Sequence, residues 1–116
     1  MSFDWKDYVY LAEELLNRPE EAYLRSAISR AYYGVFCIAR NRKGCKEFTR
    51  ANVHWEVINK YKNSSDRNER NIGRILDNLR RSRNDADYNE DKLISGDLAE
   101  RAVLLAKNVL ASIGTS

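Results

Sequence analysis

Only one proline and five glycines occur among the 116 residues. That shortage leaves little material for tight turns or long irregular connections, and it disfavours a strand-rich fold. Cysteine is almost as scarce, with Cys37 and Cys45 the only two. Two thiols without patterned spacing make neither a disulfide framework nor a zinc-ligand set, so a reducing compartment is expected. Cys37 lies in an apolar helical run and should be buried as a small hydrophobe. His54 is the only histidine, and no Cys or His near it gives metal-ligand spacing; no metal and no cofactor are expected. No apolar run approaches the ~20 residues needed to cross a bilayer, and no charged-then-apolar leader opens the chain. A cytoplasmic protein without a membrane partner is the expectation. A large charge of one sign is missing too: 20 Lys and Arg against 17 Asp and Glu leave +3, too little to imply nucleic acid by itself.

What is present suits a folded chain. Hydrophobic residues make up 43% and charged residues 32%, a balance found in globular rather than disordered proteins. A chain of this length can bury a core without staples, so residues 1–116 read as a single helical domain.

Five helices follow from apolar spacing. The first spans about Asp4 to Leu16, with Trp5, Tyr8, Val9, Ala12, Leu15 and Leu16 on one face. Asn17-Arg18-Pro19 interrupts it, and Pro19 suits the first turn of a second helix reaching about Arg40. Ala27, Ala31 and Gly34 recur on one side of that helix, which marks it as central or closely packed; Gly34 costs roughly 1 kcal/mol of helix propensity against Ala and so implies a packing reason. A basic loop from Asn41 to Phe48 contains Gly44. Thr49 or Asn52 is suited to cap a third helix bearing Val53, Val57, Ile58 and Tyr61. After Asn63-Ser64-Ser65-Asp66 comes a fourth, bearing Ile72, Ile75, Leu76 and Leu79, which should fray or turn in the Asn- and Asp-rich stretch from Asn84 to Asp91. Ser95 is placed to cap a fifth, with Leu98, Ala102, Leu105, Val109 and Ile113 as its face and Gly114 at its end. The fold class is therefore all-α, an up-and-down bundle of four to five helices. A helix-turn-helix DNA reader fits less well, because no short recognition helix follows a tight glycine turn.

The fourth helix carries the most informative residue. Ile72, Leu76, Leu79, Arg83 and Ala86 succeed one another at intervals of four and three, so Arg83 occupies a position that should face the bundle. A guanidinium cannot lose its charge there and requires an acceptor or a wet cleft. Asp87, one turn later and ~40° around the axis, is within salt-bridge reach. Arg83 could instead hold a phosphate, with the Asn84 amide beside it. Arg80 and Arg81 are free of that constraint and should face solvent.

Two segments resemble the HEPN family. Arg83-Asn84-Asp85-Ala86-Asp87-Tyr88 is similar to the Arg-Asn-x-Ala-Asp-Tyr form of a prokaryotic branch, and Ala27 to Phe36 (Ala-Ile-Ser-Arg-Ala-Tyr-Tyr-Gly-Val-Phe) resembles that branch's second-helix signature. The resemblance covers most of the chain in helix order. It implies a helical bundle that forms a homodimer, its motifs meeting across the interface in a cleft that binds nucleotide or RNA. It also implies a toxin–antitoxin or defence setting with a nucleotidyltransferase-type antitoxin as partner. In the family's ribonucleases an Arg-x4-His motif cleaves RNA without metal, the arginine stabilising the phosphate. Here Tyr88 stands at the histidine's position. A phenol of pKa ≈ 10 is a poor general base near neutral pH, although it can donate a hydrogen bond or stack on a base. The resemblance thus implies Arg83, Asn84 and Tyr88 as catalytic candidates if the protein is an endoribonuclease with an altered site. Arg83, Asn84, Arg80, Tyr33 and Arg30 are the candidates for a nucleotide- or RNA-binding site. A purely structural module for dimerisation or partner docking is the other alternative.

The remaining residues have two readings each. His54 belongs to the structure or the surface, or else approaches Arg83 and replaces the missing histidine. Arg67, Arg70, Arg74, Arg80, Arg81 and Arg83 oppose only Glu69 and Asp77 between residues 67 and 83. They make either a solvated face or a strip for an RNA backbone. Tyr32 and Tyr33 lie ~100° apart on a helix, so one should be core while the other reaches towards Arg83. Arg30 is expected to pair with a carboxylate, and Trp5 and Trp55 to join the core.

Overall fold

Helical spacing of the apolar residues does organise the chain. A computed structural model describes residues 2–45 and 52–114, and its secondary structure there is helical throughout. The helices are α1 (Lys6–Leu15), α2 (Glu21–Arg42), α3 (Val53–Lys62), α4 (Arg67–Tyr88) and α5 (Gly96–Ile113). They form a helical bundle. α2 packs against α1, α4 and α5, and α3 lies on α4. One core cluster draws Val9 from α1, Ala31, Tyr32 and Val35 from α2, Val57 and Tyr61 from α3, Leu76 and Leu79 from α4, and Ala99, Ala106 and Val109 from α5.

Small residues set the closest approaches. A Cβ added at Gly34 would stand 2.9 Å from both the Trp5 carbonyl oxygen and Val9 Cγ2, so α1 can sit this close only to a glycine. Gly73 plays the same part for α3, with the Lys62 backbone nitrogen 2.7 Å from where its Cβ would be. Cys37 is buried, and so is Cys45.

The helix ends depart from expectation in instructive ways. Pro19 precedes α2 instead of entering its first turn, because Glu20 takes the extended N-cap conformation. α2 runs two residues past Arg40 and closes in a Schellman motif: Gly44 is left-handed (φ 69°), its N–H bonds the Asn41 carbonyl, and the Cys45 N–H bonds that of Arg40. Asn52 makes no side-chain cap to α3, and Thr49 lies outside the described residues. Asp66 and Ser95 do cap α4 and α5, accepting from the Glu69 and Leu98 N–H groups, each at 3.2 Å.

Two faces are corrected. α5 buries Ala99, Ala102, Val103, Ala106, Val109 and Ile113, whereas Leu98 is 41% exposed; the alanines allow a closer helix contact than a leucine stripe would. Trp55 is not a core residue, being 62% exposed, while Trp5 is partly buried in an edge-on cluster with Phe3 and Tyr8.

α4 ends and the chain turns within the expected stretch from Asn84 to Asp91, but the helix is kept regular as far as Tyr88. Arg25, a residue the sequence did not single out, explains this. Its guanidinium donates to the carbonyls of Asp85 and Ala86 at 3.0 Å each and to that of Lys92, capping the helix end from α2. Glu21 accepts from Arg25 Nε at 3.0 Å and also from the Ile94 N–H. Lys92 pairs with Asp85 at 3.1 Å.

Candidate functional site

Arg83 lies on the seam that its spacing predicts, in a buried stripe with Ile72, Leu76, Leu79 and Ala86. It is only 6% exposed. Its guanidinium rests against three tyrosines, with its central carbon 5.4 Å from the Tyr32 ring centre, 5.2 Å from Tyr33 and 5.9 Å from Tyr88. Such ring faces attract a cation, each contributing about 0.5–2 kcal/mol. They supply no strong acceptor, and Nε of Arg83 is buried without a hydrogen-bond partner.

The expected Arg83–Asp87 ion pair is not formed. Asp87 accepts instead from the Ser29 hydroxyl of α2 at 3.2 Å, which leaves the guanidinium without a carboxylate among the described residues. Arg80, expected in solvent, is half-buried, and its Nε also lacks a partner. Arg81 does face solvent, bonded to Asp77 at 2.7 Å. A spacing of three residues places Arg80 and Arg83 on neighbouring positions of one helix face.

α3 closes the site from the other side. His54 Nδ1 and the Tyr32 hydroxyl are 2.6 Å apart. The imidazole stacks on Phe36 at 4.3 Å and meets Tyr33 edge-on at 6.0 Å. Burial, and then the charges of Arg83 and Arg80, push the His54 pKa down to about 4, so the ring is neutral at physiological pH. Burial also pushes the Tyr32 phenol well above its ordinary value, with the same arginines opposing the shift. Tyr32 is the core member of the tyrosine pair and Tyr33 is the partly exposed one.

The other candidates are dispersed. Asn84 is exposed on the flank of α4, and Tyr88 is 74% exposed with one face over Arg83. Arg30 pairs with no carboxylate among the described residues; its guanidinium lies 5.0 Å from the Tyr8 ring centre, against α1. The six arginines of α4 do not form one strip. Arg70 donates to the Ser64 and Ser65 carbonyls, Arg81 is paired with Asp77, and Arg83 is buried. Beyond Tyr88 an open depression is lined by Glu21, Arg25, Asp87 and Glu90.

No spacing signal joins Tyr32 to His54, which are 22 residues apart; only the packing of α3 brings them together. No group of three His, Cys, Asp or Glu among the described residues could hold a metal ion. No described helix is long and apolar enough to cross a membrane. Compared with protein-family models, curated proteins and solved structures, the chain matches none.

Proposed function

We propose that this is a HEPN-like protein that binds the phosphate of a nucleotide or RNA at Arg83, with Tyr88 available to stack on a base. The observation that carries this reading is the buried, uncompensated guanidinium of Arg83. A charge held at that cost, with no carboxylate beside it among the described residues, needs an anion to complete it. Arginine's fork suits phosphate oxygens, and an exposed tyrosine next to it suits a single-stranded base. The family resemblance adds a cytoplasmic toxin–antitoxin or defence module with a nucleotidyltransferase-type partner. It also adds homodimerisation, for which exposed Tyr10 and Leu11 on α1 and Leu104 on α5 offer apolar surface. Fluorescence anisotropy with a labelled single-stranded RNA tests binding: affinity should fall with salt and be lost in Arg83→Met. A salt-independent response, or unchanged binding by the variant, would refute it.

A second reading, a metal-independent endoribonuclease with an altered site, is favoured by one observation, the neutral imidazole tied to Tyr32 beneath Arg83. In it His54, not Tyr88, accepts the proton of the attacking ribose hydroxyl while Arg83 stabilises the phosphate. Cleavage of RNA in the presence of chelator, abolished by His54→Gln and retained in Tyr88→Phe, would establish it. No cleavage by protein that binds RNA leaves the binding function alone.

A further inference from the structure

The site holds two guanidiniums, not one. Arg80 and Arg83 are neighbours on the same face of α4, and each has a buried Nε with no acceptor among the described residues. Neither forms an ion pair there, whereas Arg81, between them, is paired with Asp77. The nearby carboxylates of α4 are engaged elsewhere: Asp77 pairs with Arg81 and Lys62, Asp85 pairs with Lys92, and Asp87 accepts from Ser29. Among the described residues, Arg83 faces the rings of Tyr32, Tyr33 and Tyr88, and the His54 imidazole bonded to Tyr32 is neutral at physiological pH. Two fixed positive charges thus stand in one partly dry site without an ion-pair partner among the described residues. A phosphodiester brings one negative charge, which neutralises one of them. A phosphate monoester brings nearly two at pH 7 and three terminal oxygens, enough to engage both forks.

We propose that Arg80 and Arg83 together recognise a terminal phosphate monoester, so that the ligand is a phosphorylated RNA end or a nucleoside monophosphate, not an internal stretch of strand. This rests on the reading of Arg83 as a phosphate site and narrows its substrate class. It also gives Arg80 a role that differs from a backbone contact: selecting the charge state of the ligand.

The test uses three single-stranded oligoribonucleotides of one sequence, carrying a 5′-phosphate, a 3′-phosphate or hydroxyls at both ends, bound to the full chain. At least one phosphorylated oligomer should bind tenfold or more tighter than the hydroxyl form. That preference should shrink as pH falls from 7.5 to 5.5, because the monoester takes up its second proton near pH 6 and is left with a single negative charge. Arg80→Gln, at a half-buried position, should bring the three affinities together while the far-ultraviolet spectrum stays that of the parent; Arg83→Met should abolish binding. Equal affinities for all three oligomers would overturn monoester recognition and leave RNA binding intact. Adenosine monophosphate, as a fourth ligand, separates a free nucleotide from an RNA end; no binding of it or of any oligomer by folded protein would overturn both readings. A tenfold preference that persists unchanged at pH 5.5 or in Arg80→Gln would overturn the assignment to this arginine pair.

Discussion

The Tyr32 hydroxyl bonds His54 Nδ1 at 2.6 Å while the ring of the same tyrosine lies under the Arg83 guanidinium, 5.4 Å from its central carbon. One side chain of α2 therefore links a residue of α3 to a residue of α4. The phenol positions the imidazole, and its π-face supports the cation. Tyr32→Phe keeps the ring and deletes the bond. It should cost about 1–2 kcal/mol, the value of a buried hydrogen bond whose partner is left unsatisfied, and lower Tm by several degrees. Arg83-dependent RNA binding should survive in this variant, which separates positioning of His54 from the phosphate contact; anisotropy beside a thermal melt measures both.

The His54 imidazole gives stability a pH dependence whose sign is fixed. Its folded pKa of about 4 lies below the ordinary value of 6.5. The unfolded chain therefore takes up the proton first as pH falls. Stability from this group is complete above pH 6.5, declines between about 6.5 and 4, and has no further slope below. The loss between pH 7 and pH 5 should be of order 1–2 kcal/mol. Urea midpoints at the two values measure it, and His54→Gln should flatten the difference over that interval.

Arg83 is maintained at a cost to the fold. Replacing a buried, unpaired charge by an apolar chain of similar length removes the desolvation penalty and the orphaned Nε–H. Arg83→Met should accordingly raise stability by about 1 kcal/mol even as it abolishes phosphate binding. Loss of several kcal/mol in a chemical denaturation would identify the guanidinium as a structural support instead.

Glycine substitutions should separate by what a Cβ would touch. Gly34→Ala gains helix propensity but drives a methyl into the Trp5 carbonyl and Val9. The net effect should be a loss of about 1–3 kcal/mol, because a backbone oxygen cannot swing aside as a side chain can. Gly96→Ala, with nothing within 4 Å of the added Cβ, should be neutral or stabilising by about 0.4–1 kcal/mol. Paired thermal melts compare the two directly.

Arg25→Met should release the end of α4. The Asp85 and Ala86 carbonyls lose the guanidinium, Asp85 keeping only the Asn89 N–H, and the residues around Asn84 to Tyr88 should exchange amide hydrogens faster while the α5 core keeps its protection. A stability loss of about 1–3 kcal/mol accompanies it.

Helix number, the capping roles of Ser95 and Gly34's packing role were all legible in residue order, because 3.6-residue periodicity and cap chemistry are local properties. The seam position of Arg83 was legible for the same reason: four apolar neighbours at intervals of three and four define a face whatever packs on it. Partnership was not legible. Asp87 lies one turn from Arg83, yet Ser29 of α2 holds it; Arg30 rests on Tyr8, Trp55 lies outside the core, and Arg80 turns inward. That α4 would end between Asn84 and Asp91 was legible, but not that it stays regular to Tyr88, because its cap, Arg25, sits 60 residues earlier in the chain. Tyr32 and His54 meet only because α3 docks beside α2. Periodicity determines which face of a helix is buried, but which side chains meet there depends on how separately formed helices pack, and that was decided by the tertiary structure alone.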